Sequence, residues 1–278
     1  MTSWTGIALA LAEPGSDRLG SRLSTYLHPL AGRPLAWHTL HALAALRPAP
    51  ERLVLVAGPE LASDLFADLP VAVHVVPREA ADLPAAVHAA GVSADFPVLA
   101  VDAAAPALGE ALDRLVAGPV GIVLADAEGI ALAAWLTGPE ACALLRAGGG
   151  LEALPAVGPE LRCRAEPAAF AVRSRAELAR ASRHVRDRLV RALMEGGTTF
   201  LLPESVLVDV DVRTGRDTVV YPGVVLEGRT VIGDETVVGP GCRIIESWIG
   251  TGVELKGWND LSHTTVRNRA IVEPHVRR

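Results

Sequence analysis

The sequence predicts a two-domain protein: an α/β domain with a mostly parallel sheet and helices on both faces, followed by a short β-solenoid of hexapeptide repeats. Three observations carry this. An aliphatic residue returns at every sixth position from Val220 through Leu226, Ile232 and Val238 to Ile244, and Gly or Pro-Gly follows most of the repeats. Before that region, short aliphatic runs alternate with Ala- and Leu-rich segments of helical length, the pattern of strands joined by crossover helices. The 278 residues also exceed what the repeat region or one small core would use, which favours two domains.

The first element is the apolar run GIALALA at 6–12, which ends in Glu13, Pro14, Gly15 and Ser16 before helical spacing begins, so it reads as strand, loop, helix. Similar runs at 53–57, 71–76, 98–101 and 120–125 read as further strands. In a doubly wound sheet, ligands bind outside the carboxyl ends of strands, which directs attention to the loops after Ala12, Val76 and Val101. The Arg-rich stretch from Arg173 to Arg191 reads as a helix with a solvated face, on which Glu177 and Asp187 supply local ion pairs of small value. In the repeat region the period shortens to five between Ile244 and Ile249, resumes at Leu255 and Leu261, shortens again to Val266 and ends at Val272. These positions predict about three coils with inward-pointing aliphatics. The expected domains are 1–174, a linker helix at 175–203, and the solenoid at 204–278.

Composition narrows the classes of function. A net charge of −6 argues against nucleic-acid binding. Although half the residues are hydrophobic, no uncharged apolar run reaches the roughly 18 residues of a membrane span. Nor is there a basic, apolar, small-residue leader at the N-terminus, so a cytoplasmic protein is expected. Cys142, Cys163 and Cys242 have neither CxxC nor Cys/His spacing and read as buried apolar residues. Lys occurs once, at Lys256.

The stretch LALAEPGSDRLGSRLSTYLHPLAGRPLAWHTLHAL at 9–43 resembles the opening of the bifunctional N-acetylglucosamine-1-phosphate uridylyltransferase and glucosamine-1-phosphate acetyltransferase family, with LHPLAGRP at 27–34 the most specific match. The segment 169–207, which contains AVRSRAELARASRHVRDRLVRALMEGGTTFLLPES at 171–205, is similar to that family's linker helix and entry into its solenoid. The resemblance implies a Rossmann-like nucleotidyltransferase domain, a left-handed parallel β-helix, assembly as a homotrimer through the β-helix, and a nucleotide or sugar phosphate as ligand.

At the matching positions, much of the chemistry is missing. The family's first loop uses glycines so that backbone N–H groups approach the phosphates, with an Arg and a Lys balancing charge. Here Arg18 stands at the Arg position as a candidate catalytic residue, Gly15, Ser16 and Asp17 hold the phosphate-loop place, Pro14 and Ser16 replace glycines, and Thr25 stands where the Lys would be. An added carboxylate beside phosphates costs at least about 1 kcal/mol even in bulk water. The base-reading segment of the family is replaced by VPREAADLPAA at 76–86, with Pro77, Ala80, Asp82, Leu83 and Pro84 at the reading positions. Ala104 occupies the place of one metal ligand and Arg173 that of the other, which leaves Asp102, two residues earlier, as the candidate metal ligand and catalytic residue, or else a strand-end Asp capping its loop. No cofactor is implied with certainty, Mg2+ only if the protein is catalytic.

The family's acetyltransferase residues lie beyond the coil that VEPHVRR at 272–278 matches, so none carries over. His263 and His275 read as solvent-facing coil corners, and Trp248 and Trp258 as edge packing or oligomer contacts. The reading that follows is a non-catalytic nucleotide-sugar-binding or scaffolding homologue. An active nucleotidyltransferase with an atypical donor or rearranged site, using Arg18, Asp17 and Asp102, and a purely structural oligomerisation protein are the alternatives.

Overall fold

The computed structural model describes residues 3–12, 19–93, 95–148, 150–158 and 160–278. The chain separates into two compact units, one of Met1–His28 with Pro34–Ala181 and one of Pro29–Arg33 with Ser182–Arg278. Among the described residues no helix is long and apolar enough to cross a membrane.

The first unit is built on seven strands: β1 (Thr5–Leu9), β2 (Arg52–Ala57), β3 (Val73–Pro77), β4 (Val98–Asp102), β5 (Ile122–Ala125), β6 (Ala131–Leu136) and β7 (Arg162–Ala165). Their order across the sheet is β3-β2-β1-β4-β6-β5-β7. β3, β2, β1 and β4 run parallel, whereas β6 is antiparallel to both β4 and β5. Strands buried on both faces need continuous apolar runs, and VLAV in β4 and LVLVA in β2 supply them. Chain order reverses between β1 and β4, so the crevice at their carboxyl ends is the switch point where such sheets bind ligands.

The intervening helices are α1 (Leu35–Ala45), α2 (Leu83–Ala89), α3 (Gly109–Val116), α4 (Gly138–Arg146) and α5 (Leu154–Val157). α4 starts at a capping box in which Glu140 N–H donates to the Thr137 hydroxyl and the Glu140 carboxylate accepts from Thr137 N–H. α2 starts at Asp82, whose carboxylate accepts the Ala85 N–H at 3.0 Å. Asp82 belongs to the segment aligned with the family's base-reading loop, and here it caps a helix.

Two strands depart from the sequence expectation. ALAAWL in β6 is rich in Ala, whose intrinsic preference is helical, yet it lies between β4 and β5 with five of its six residues buried. β7 has the sequence RCRA and is exposed throughout, since it is an edge strand paired only to β5. That placement leaves Cys163 exposed, and Cys142 is only partly buried. Of the three cysteines expected to be buried, Cys242 is.

The long helix α6 (Arg175–Glu195) precedes the second unit's repeats. Thirteen short strands then form three parallel sheets of five, four and four strands. Every predicted hexad position from Val220 to Leu261 is at most 2% exposed, and in register each stacks on its counterpart in the next coil, as Leu226, Ile244 and Leu261 do. The fold is the left-handed parallel β-helix that such repeats form. Its length exceeds the expectation of about three coils: the sheets amount to four coils and one further strand, beginning at Thr199–Phe200. Two features hide the first coil from a six-residue period. A 3-10 turn at Pro203–Ser205 lengthens the step from Phe200 to Val208, and Thr214 replaces an aliphatic.

The shortened steps also have a local cause. In the upper coil Gly228 turns the corner with φ 62°, whereas the shorter corners below turn on Glu246 at φ 43° and His263 at φ 50°. Inward-facing corner polar groups are satisfied by the backbone: the buried Thr218 and Thr236 hydroxyls donate to Gly233 O and Gly250 O at 2.8 and 2.9 Å. Trp258 is 61% exposed at another corner, its ring lying over Gly241, where a Cβ would collide with it. Trp258 thus packs at the edge of the neighbouring coil, one of the two roles expected of it.

Candidate functional site

A cavity of about 900 Å3 opens at the carboxyl ends of β1 and β4. Leu9, Leu11, Leu151, Leu154 and Leu161 form much of its wall, and Tyr26, Asp102, Glu152 and Arg173 supply the polar groups. Ala12, where one anticipated loop begins, and Asp102, where another begins, line it; residues 13–18 lie outside the described residues. The loop after Val76 touches its border through Arg78, whose guanidinium donates to Ala12 O at 2.9 Å while also pairing with Glu79.

Asp102 is the last residue of β4 and sits opposite Leu9 in the parallel register. Ala103 N–H donates to Leu9 O, continuing the ladder by one bond, and the chain then turns. Asp102 stabilises the turn itself: its Oδ1 accepts Ala104 N–H at 2.8 Å and its carbonyl accepts Ala105 N–H at 3.0 Å. One carboxylate oxygen is thereby used structurally. Oδ2 remains, and the Arg173 guanidinium lies 3.4 Å from it.

Arg173 is delivered there by two sets of backbone bonds. Val172 N–H donates to Ala104 O at 2.8 Å, tying this segment to the loop after β4. Immediately beyond, Ser174 caps α6: Glu177 N–H donates to the Ser174 hydroxyl at 3.2 Å, and the Glu177 carboxylate accepts from Ser174 Oγ and from Arg173 N–H. The capping signal S-x-x-E therefore fixes the backbone of Arg173 as well as the helix start.

A third charged group completes the arrangement. Asp126 follows β5 in the tight turn to β6, where its Oδ1 accepts Glu128 N–H and Ile130 N–H at 3.1 and 2.8 Å. Its Oδ2 lies 3.6 Å from the same Arg173 guanidinium, and its side chain is only 5% exposed. Sequence reasoning did not single out Asp126. The available signal was an Asp ending an apolar run with Gly three positions later, an Asx-turn pattern that announces a hairpin but no partner.

Burial pushes the Asp102 carboxyl above the usual Asp value, and Glu152 pushes it the same way, while the Ala104 N–H and Arg173 oppose the shift. Tyr26, also missed from sequence, is buried and accepts the Ala12 N–H at 3.0 Å. Burial raises its phenol, and the neighbouring Asp102 adds to the effect. Thr25, at the family's Lys position, is buried and uncharged. Gly15, Ser16, Asp17 and Arg18 lie outside the described residues. His263 and His275 are exposed corner residues with φ of 50° and 63°, as expected.

A bacterial transferase hexapeptide model (six repeats) matches residues 211–246. The bifunctional protein GlmU of Geobacillus sp. (strain WCH70) is 38% identical over 109 residues, which cover 38% of this chain and 23% of that protein. GlmU of Listeria monocytogenes serotype 4b (strain CLIP80459) is 46% identical over 85 residues, 31% of this chain and 19% of that protein. The chain is GlmU-like over part of its length. It spans about a quarter of the length of the curated GlmU proteins it matches, 23% for the first of them. Among solved structures, a putative glucose-1-phosphate thymidylyltransferase from Bacillus anthracis, in complex with a sucrose, is similar at a TM-score of 0.49 and 15% identity, over 66% of this chain and 96% of that one.

In this GlmU-like chain the residues around Asp102 do not suit the Mg2+ that the family resemblance implies. Mg2+ requires near-octahedral oxygen donors at about 2.0–2.1 Å. Here the two carboxylate oxygens not held by backbone N–H groups, Asp102 Oδ2 and Asp126 Oδ2, both face a guanidinium that stays charged at any working pH. Among the described residues no group of three His, Cys, Asp or Glu side chains is placed to hold a metal.

Proposed function

We propose that this chain is a non-catalytic relative of the sugar-1-phosphate nucleotidyltransferases: a ligand-binding or scaffolding α/β unit on a hexapeptide stem that assembles copies, three by analogy with the family. One observation carries the reading. Arg173 stands 3.4 and 3.6 Å from two carboxylates at the switch-point crevice, where transfer chemistry would need a free cation for the ligand's phosphates. Nucleotidyl transfer depends on neutralising charge that develops on the phosphoryl oxygens. Arg173 already faces two carboxylates, Glu152 joins Asp102 in the cavity lining, and no Lys precedes Lys256.

The cavity itself is large enough for a ligand of small-molecule size, since such sites are commonly about 300–1,000 Å3. Its leucine wall favours the uncharged portion of a nucleotide sugar or sugar phosphate. Each further negative charge would face Asp102 and Glu152.

Calorimetric and thermal-shift titrations with UDP-sugars, sugar 1-phosphates and nucleoside triphosphates, each with and without Mg2+, test the proposal. The expected result is binding that is indifferent to Mg2+ and weakest for triphosphates. Binding that requires Mg2+ and favours a triphosphate would contradict it, and no binding by any of them would leave the stem's assembly as the function.

A further inference from the structure

We propose that Arg173 is the resident cation of this cavity: its guanidinium permanently fills the position between Asp102 and Asp126 that would otherwise draw a divalent metal ion, so the cavity works metal-free. The two acids come from different strands, Asp102 from the end of β4 and Asp126 from the turn after β5. In each, the local turn consumes one oxygen: Ala104 N–H takes Asp102 Oδ1, and Glu128 and Ile130 N–H take Asp126 Oδ1. The remaining oxygens converge on one guanidinium. Two carboxylate oxygens presented to a common point from fixed turns are the beginning of a hard-cation site.

The distances indicate an occupant placed between two acids and bound closely to neither. Charge-assisted N–H···O bonds run about 2.7–2.9 Å, whereas Arg173 sits 3.4 Å from Asp102 and 3.6 Å from Asp126. Its placement does not depend on those contacts alone, because Val172 N–H to Ala104 O and Arg173 N–H to Glu177 hold the backbone on either side. A divalent ion bound to the same oxygens would stand within a few ångströms of a fixed positive charge, and the two exclude one another. Arg173 is thus the specificity-determining residue that decides whether a metal enters the cavity. This goes beyond the non-catalytic reading and does not require it.

The test is Mn2+ binding to the full chain, read as loss of the free Mn2+ signal in electron paramagnetic resonance. It compares wild type, Arg173→Asn, Arg173→Lys, Asp102→Asn and the Arg173→Asn/Asp102→Asn double variant, with circular dichroism confirming the fold of each. Wild type and Arg173→Lys are expected to bind no Mn2+ at this site. Arg173→Asn should gain one Mn2+ per chain and the double variant should lose it again. A folded Arg173→Asn that gains no Mn2+ overturns the proposal. So does Mn2+ binding by wild type that Asp102→Asn abolishes, and this comparison decides the matter even if Arg173→Asn fails to fold. Pyrophosphate release by a wild type that binds no Mn2+ would sink the non-catalytic reading and leave this one. Asp102-dependent Mn2+ binding without pyrophosphate release would do the reverse.

Discussion

Replacing Arg173 by Met keeps most of the side chain's length and removes its charge, leaving Asp102 and Asp126 without the guanidinium that both face. The magnitude can be bracketed from exposure. Breaking a fully buried ion pair costs about 3–5 kcal/mol, and an exposed pair contributes about 0–1. Asp126 is 5% exposed and Asp102 21%, but Arg173 is 36% exposed and stands 3.4 and 3.6 Å away, so solvent screening pulls the value toward the lower range. A loss of about 2 kcal/mol follows, or about 4–8 °C in the melting temperature of a unit this size. Urea denaturation followed by Trp fluorescence reads the first unit, where Trp4 and Trp135 pack edge to face. The difference between wild type and variant should be largest at neutral pH. It should shrink in acid as Asp102 becomes protonated, beginning above the ordinary Asp range because burial raises that carboxyl. A variant as stable as wild type at neutral pH, or a difference that grows in acid, would refute the reasoning.

Further predictions address the acid partner, the stem and its assembly. Asp102 titrates above its unfolded value, so the folded state binds more protons than the unfolded state between the two values and the wild type loses stability as pH rises through that window. Asp102→Asn lacks this loss, and its stability relative to wild type should therefore rise with pH in denaturation series; a relative fall would show that the Arg173 contact outweighs burial. Ile244→Ala removes a fully buried side chain stacked between Leu226 and Leu261, and should cost about 3–4 kcal/mol from lost transfer energy and the residual cavity. Equilibrium denaturation of the stem that shows less than about 1 kcal/mol would mean the coils collapse around the gap. Sedimentation equilibrium at micromolar protein should give three times the chain mass of 29.1 kDa, and a monomer would remove the assembly role.

Legibility in the sequence followed the strength of the local signal. The solenoid was readable because one requirement, an inward aliphatic at each strand, repeats with a fixed period, and even the two five-residue steps correspond to real corners at Glu246 and His263. It was readable only while the period held, so the first coil, with its 3-10 turn and inward Thr214, escaped. In the α/β unit the apolar runs marked the parallel strands. β6 escaped because its strand state comes from its neighbours β4 and β5 and not from its own alanines.

The site was half legible. Asp102 and Arg173 were singled out by alignment with a family pattern, but their proximity, across 71 residues of sequence, was not. The convergence arises from a backbone bond between Val172 and Ala104 and from the capping of α6, neither of which leaves a spacing that can be read in advance. Asp126, Tyr26 and Glu152 were missed for the same reason. Each is an ordinary turn or core residue by sequence and becomes part of a site only through the sheet order.

The central claim is that, among the described residues, the one cation lining the cavity of the α/β unit is Arg173, which two carboxylates already engage, so the unit does not perform nucleotidyl transfer. The most direct test is pyrophosphate release from each nucleoside triphosphate in the presence of a sugar 1-phosphate, with and without Mg2+, using the full chain and Asp102→Asn. Release at the uncatalysed background for both proteins, regardless of metal, is predicted. Metal-dependent release by the wild type that Asp102→Asn abolishes would contradict it.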